Sequence, residues 1–209
     1  MEAYLTELSA PGPREYFRPH FFVNTPDINP VYLQGAPRSA YVIRAALAAT
    51  LSGLWGVYNG FELCEGTPVP GREEYLDSEK YQIRAWDWDR PGNIVAEITA
   101  LNRIRRLNPA LRTHLDPVFL PAGNAAITVF EKATSNRANV VVTAISFDPN
   151  QPQETGFEFP FWLWGVAEQA AFDVENLVTG ERTTWRGKDQ YVRLTPDAPY
   201  AVWRIRPAA

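Results

Sequence analysis

The sequence predicts two architectures in tandem, an α/β region followed by an all-β region. Three observations predict this. Across residues 1–112, apolar strand-like runs alternate with stretches of helical periodicity, the pattern of parallel β/α units. Across residues 113–209, short alternating runs recur between turn residues, the pattern of an antiparallel β-sandwich. The helical signal stops at a break over residues 111–117. With 209 residues, 45% of them hydrophobic, the chain has enough apolar side chains to build a real core.

The elements follow in order. Phe21-Phe22-Val23 is a short apolar strand that ends in the polar turn Asn24-Thr25-Pro26-Asp27. A helix is expected over residues 39–51, with Ser39 as N-cap and Ala40, Ile43, Leu47 and Leu51 on one face. Its many alanines predict close packing on a sheet. Residues 54–58 read as a second buried strand. The stretch from 59 to 92 is far longer than an ordinary connection, and loops of that length are functional or disordered. A last helix over 93–108 presents Ile94, Ile98, Leu101 and Ile104, with Pro109 as its stop. Seven short strands are expected beyond the break, at 126–130, 139–147, 157–164, 171–177, 183–186, 191–194 and 201–205.

Charge and composition exclude several classes. A net charge of −4 supplies no cationic field for nucleic acid. No apolar run reaches the length of a membrane span, and the N-terminus lacks the basic and apolar regions of a signal peptide. Cys64 is the single cysteine, so no intrachain disulfide can form, which suits a reducing cytoplasm. His20 and His114 are far apart and define neither a metal site nor a triad. No metal and no cofactor is expected.

Two stretches could carry chemistry. A carboxylate placed just after the C-terminal end of a parallel strand points into the crevice where α/β folds bind ligands. Asp27 sits there, with Pro26 fixing the chain direction. Taken as an isolated turn, making the turn is the simpler role for Asp27. The long loop adds Glu62, Glu65, Asp77, Glu79, Lys80, Tyr81, Trp86, Asp87, Trp88 and Asp89. Acids among aromatics suit a sugar-binding lining, and equally a solvated acidic loop with two buried tryptophans. Arg103, Arg105 and Arg106 are read as the wet face of the last helix, and Trp162 and Trp164 as alternating on one strand face in a core or interface role.

These residues carry a resemblance. The run from Tyr16 through Phe21-Phe22-Val23-Asn24-Thr25-Pro26-Asp27 to Pro30 resembles the strand-seven segment of the α-1,4-glucan:maltose-1-phosphate maltosyltransferases of the α-amylase superfamily. The similarity continues through Gly60-Phe61-Glu62-Leu63-Cys64-Glu65, Glu74-Tyr75-Leu76-Asp77-Ser78-Glu79-Lys80-Tyr81, Leu101-Asn102-Arg103-Ile104-Arg105-Arg106 and Asn108-Pro109-Ala110-Leu111. Asn-Thr-Pro-Asp in place of the wider superfamily's Asn-His-Asp favours the maltosyltransferase branch over ordinary amylases.

The resemblance implies a fold and a function. Residues 1–112 would be the last two β/α units of a TIM-type (β/α)8 barrel, with Tyr4–Leu8 as the end of helix six, and 113–209 the C-terminal antiparallel β-sandwich. The reaction implied is transfer of maltosyl from α-maltose 1-phosphate to an α-1,4-glucan with release of phosphate and retention of configuration, which requires two displacements by two carboxylates. Asp27 matches a third carboxylate, the transition-state stabiliser. Asn24, Lys80 and Tyr81 match substrate-binding positions. The nucleophile and acid/base match nothing in this chain. The chain is therefore expected to be a C-terminal piece (a split gene product, a proteolytic half or an engineered piece), inactive alone, that docks onto an N-terminal half or forms a compensating homo-oligomer. Two alternatives stay open: a non-catalytic glucan-binding or structural module, and part of a trehalose synthase or α-glucan hydrolase.

Overall fold

The computed structural model describes residues 1–208; Ala209, the last residue of the expected sandwich region, lies outside the described residues. Two short helices, α1 (Glu2–Leu8) and α2 (Pro13–Tyr16), lead into β1 (His20–Phe22). Helix α3 (Arg38–Leu51) then returns the chain to β2 (Leu54–Gly56), which pairs with β1 in parallel, His20 opposite Leu54 and Phe22 opposite Gly56. The β–α–β connection read from the sequence is thus present. Strand β1 has the expected length and begins one residue earlier, whereas β2 is shorter than the expected 54–58 and half-exposed rather than buried.

Helix α3 is buried on nearly every side, not along one stripe. Ala40, Ala45, Ala46, Ala48 and Ala49 let neighbouring backbones approach it closely. Its partners are β1 and β2, helix α4 (Val95–Leu107) and the sheet of the second region. Its ends depart from the sequence reading. Ser39 does not cap it: Pro37 occupies the N-cap in an extended conformation, and the Ser39 hydroxyl donates to the Pro149 carbonyl at 2.5 Å. At the other end Arg105 is not on the wet face of α4. Its guanidinium donates to the carbonyls of Ala49, Ser52 (2.6 Å) and Gly53 (2.8 Å), satisfying acceptors that a helix terminus leaves open. Arg103 and Arg106 are exposed as expected. On α4, Leu101 and Ile104 are buried, Ile94 is buried just before it, and Ile98 packs at the margin.

Beyond α4 the chain is antiparallel. A six-stranded sheet has the order β3-β4-β5-β10-β7-β8, and β6 and β9 form a separate pair. The strands are β3 (Val118–Leu120), β4 (Ile127–Ala133), β5 (Val140–Ser146), β6 (Gln153–Glu158), β7 (Ala171–Asn176), β8 (Arg182–Arg186), β9 (Asp189–Leu194) and β10 (Tyr200–Pro207). The large sheet is covered on both faces. Val129, Val142, Ala144 and Ile205 pack with Phe157, Val192 and Leu194 of the β6–β9 pair, while Phe130, Val141, Ile145 and Val202 share a core with α3 and α4. Strand β5 is buried along its whole length, which explains its unbroken run Val-Val-Val-Thr-Ala-Ile-Ser.

One expected strand is wrong. Residues 157–164 do not form a single strand: β6 ends at Glu158, and Phe161–Trp164 is a 3-10 turn. Pro160 fixes its own φ and lacks an N–H, so the ladder cannot continue. Trp162 and Trp164 therefore do not alternate on a strand. Trp162 is exposed, while Trp164 packs edge-on to Phe172 at 5.6 Å. The structure also adds β3, absent from the sequence reading. Among the described residues no helix is long and apolar enough to cross a membrane.

Candidate functional site

The turn that follows β1 is built by Asn24 and Thr25. Parallel pairing runs one residue past the strand, with Val23 N–H donating to Gly56 O at 3.0 Å. Asn24 then continues the ladder with its side chain: Oδ1 accepts from Tyr58 N at 2.8 Å, and Nδ2 donates to Tyr58 O at 3.2 Å and to the Tyr75 hydroxyl at 2.8 Å. Asn24 is 2% exposed, so its amide serves the protein interior. The Thr25 and Ile28 backbones bond each other reciprocally at 3.2 Å, and Thr25 Oγ1 accepts from the amides of Asp27 (3.3 Å) and Ile28 (3.0 Å). Asp27 is held at the apex of this turn with its side chain 65% exposed.

Lys80 reaches Asp27 from the long loop, across 53 residues of sequence, and forms an ion pair with Oδ1. Its bond to the Asp27 carboxylate, and secondarily its contact with Tyr81, hold the ammonium well above the ordinary lysine range. The ammonium lies 5.1 Å from the centroid of the Tyr81 ring, which is itself 74% exposed. Asp27, Lys80 and Tyr81 thus form an open shelf at the C-terminal ends of β1 and β2. The shelf can accept hydroxyl donors at the carboxylate, give hydrogen bonds from the ammonium and offer one aromatic face.

Sequence reasoning missed what holds the loop to the strands. Ser78 is buried; its hydroxyl lies 3.2 Å from the Tyr58 hydroxyl and accepts from Lys80 N at 3.3 Å, and its carbonyl accepts from the amide of Tyr81 at 3.0 Å. Asn59 donates to Glu79 at 2.9 Å. The expected signal was there in Asp77-Ser78, small polar residues that favour turns.

Most loop carboxylates brace the loop instead of lining the shelf. Glu65 accepts from Thr67 N at 3.3 Å and faces Arg84 at 3.6 Å and Arg90 at 3.7 Å. Burial would raise its pKa, but the Thr67 bonds and the two arginines outweigh that and hold it below the usual carboxylate range. Glu62 accepts from Gly60 N at 3.1 Å. Gly60 has φ +94°, and a Cβ there would come within 2.7 Å of the Trp86 ring, so only glycine fits. Arg84 stacks over Trp86 at 4.2 Å. Trp86 is half-buried and Trp88 exposed, so the loop does not contain two buried tryptophans. Cys64 is half-buried, and burial pushes its thiol up to about 11.

A parallel β–α–β unit joined to an antiparallel two-sheet region defines the fold class. Solved structures agree on the fold. The α-amylase of Geobacillus thermoleovorans complexed with acarbose superposes with a TM-score of 0.65 at 14% identity, over 92% of this chain and 40% of that one. The γ-CGTase of alkalophilic Bacillus clarkii gives 0.62 at 18% identity, over 99% and 29%. Sequence narrows the class. Residues 119–205 match the family model described as GLGE, C-terminal. The α-1,4-glucan:maltose-1-phosphate maltosyltransferase of Burkholderia pseudomallei is 57% identical over 99% of this chain and 18% of its own length. That of Pseudomonas aeruginosa is 52% identical over 97% and 31%, and that of Cereibacter sphaeroides 49% over 97% and 30%. Over nearly its whole length the chain is similar to a C-terminal portion of the α-1,4-glucan:maltose-1-phosphate maltosyltransferases. It spans between 18% and 31% of the length of these three curated relatives.

Proposed function

We propose that this chain supplies the C-terminal part of a retaining glycosyltransferase that moves maltosyl from α-maltose 1-phosphate to α-1,4-glucans and releases phosphate. In this reading residues 1–112 are the last two β/α units of a (β/α)8 barrel and 113–209 its sandwich domain. Retention requires a carboxylate nucleophile and a separate acid/base. Both come from the part of the relatives' length that this chain does not span, so the chain alone is inactive. Asp27 grips sugar hydroxyls and stabilises the oxocarbenium-like transition state. Lys80 orients that carboxylate, and with Tyr81 it bonds the outer glucose of the maltosyl unit. Asn24 belongs to the site by holding the turn.

The observation that carries this reading is the Asp27–Lys80 pair at the C-terminal ends of two parallel strands. Docking onto the N-terminal half, or a compensating homo-oligomer, completes it. Exposed Phe22 and Leu54 along the two strands support that step, as open strand edges seek partners. A cytoplasmic location is part of the same reading, in keeping with a single free thiol. In a complete enzyme carrying this chain, Asp27→Ala is expected to cut phosphate release from maltose 1-phosphate by at least about 100-fold. A near-normal rate overturns the assignment. The exposed rings of Tyr81 and Trp88 favour a second reading, a glucan-binding module, which predicts saturable binding of maltooligosaccharides by the chain unaided.

A further inference from the structure

The strands that carry the shelf at one end have a second concavity at the other. Arg18 and Pro19 lead into β1, Gly53 and Leu54 open β2, and Arg112, Thr113 and His114 pass alongside; together they line a cavity of about 250 Å³. Gly53 makes this approach possible, since a Cβ there would lie 2.8 Å from the Arg112 carbonyl oxygen. His114 forms a buried wall, 4% exposed, and its Nε2 has no hydrogen-bond partner.

The charge around this ring is one-sided. Arg14, Arg18 and Lys132 act on His114 as cations, and Asp116 is the carboxylate set against them. Both Asp116 oxygens are already engaged by the Arg14 guanidinium, at 3.3 and 3.1 Å. Arg18 donates to the Arg14 and Phe17 carbonyls at 2.8 and 2.9 Å, and Arg112 to the Arg106 carbonyl. Among the described residues neither Arg18 nor Arg112 is salt-bridged. Both are exposed at the cavity, so each has donors free for an incoming acceptor. Two unpaired guanidinium groups and an unpartnered imidazole in a chain of net charge −4 are a local reversal of sign.

We propose that this cavity is a binding site for a phosphate-class oxyanion, taken as inorganic phosphate or a sugar phosphate monoester. Arg18 and Arg112 clamp its oxygens, and His114 gains a proton when the anion offsets the cations around it. The site lies at the opposite end of β1 and β2 from Asp27 and does not depend on the proposed reaction.

The test uses the purified 209-residue chain. Inorganic phosphate, glucose 1-phosphate and chloride are titrated at matched ionic strength, reading the unfolding midpoint and the His114 C2–H resonance. Phosphate should raise the midpoint saturably and move the His114 resonance toward the imidazolium position, and chloride should do neither. Tighter binding of glucose 1-phosphate identifies the monoester as the ligand; equal binding identifies free phosphate. Arg18→Gln and Arg112→Gln alter exposed side chains and keep the fold, as an unchanged midpoint in chloride would verify. Each should weaken phosphate at least about tenfold, the loss of one charge-assisted bond. Equal shifts with chloride, or undiminished phosphate affinity in the Arg18→Gln/Arg112→Gln double variant, would overturn the proposal.

Discussion

Asn24 and Asp27 stand three residues apart and do opposite work. Asn24 is buried and fully bonded, so Asn24→Ala leaves the Tyr58 amide and the Tyr75 hydroxyl without their partner. The expected loss is about 1–3 kcal/mol, read as a lower urea midpoint at unchanged slope. Lys80 is exposed and pairs with an exposed carboxylate, and such pairs add little to folding. Lys80→Ala is therefore expected to leave the urea midpoint in place while lowering transfer in the complete enzyme, separating function from stability. The family motif made Asn24, Asp27, Lys80 and Tyr81 visible in the sequence. It did not show their division of labour, because a side chain that completes a strand ladder looks like any other asparagine before the second strand is in place. Ser78 stayed hidden for a related reason: Asp77-Ser78 signals a turn, but the contact that gives the residue its importance is with Tyr58, twenty residues away.

At the scale of elements, legibility followed how far each signal depends on distant contacts. Helices α3 and α4 and most strands of the second region were readable because a buried face imposes a period on its own segment. Strand β5 falls within the expected 139–147, although both of its faces are covered. The error at 157–164 lay in letting the aromatic run override Pro160, a signal already present in the sequence. Arg105 is different. Nothing within α4 says that one of three arginines turns inward, since its acceptors belong to the end of α3. That end has no glycine cap; Ser52 leaves the helix in an extended conformation and Arg105 takes the open carbonyls. Arg105→Met should then destabilise the chain by about 1–3 kcal/mol through buried unsatisfied oxygens. Hydrogen exchange localises the effect: amides in the last turn of α3 should lose protection before those of its first turn. Uniform loss along α3 would argue against a capping role.

The molecule as a whole is joined by a core in which α3 and α4 meet one face of the six-stranded sheet, and a charge is buried at that junction. Lys132 is 1% exposed on β4, and its ammonium donates to the Thr113 carbonyl. The neighbouring Glu131 is engaged in a two-point pair with Arg137, at 2.9 and 3.0 Å. Burial first, and then the like charge of Arg105, depress the Lys132 pKa from 10.5 to about 7, with Asp116 opposing weakly. Between those two values the unfolded chain keeps a proton that the folded chain has released, so the contribution of this group to stability rises with pH across that window. Below about 7 the folded chain carries the full cost of a buried ammonium; above 10.5 both states are neutral and the cost is gone. His114, also held below its ordinary value by burial and nearby cations, adds a rise of the same sign at lower pH. Comparison with Lys132→Met separates the two, because the variant keeps His114. The variant should be more stable than the parent at pH 6, by about 1–4 kcal/mol as for other buried charges replaced by apolar isosteres, and this advantage should shrink steadily as pH rises. A constant difference between the two proteins from pH 6 to pH 10 would mean that Lys132 keeps its proton in the folded state, and that the junction between the two regions tolerates a buried charge that its neighbours do not neutralise.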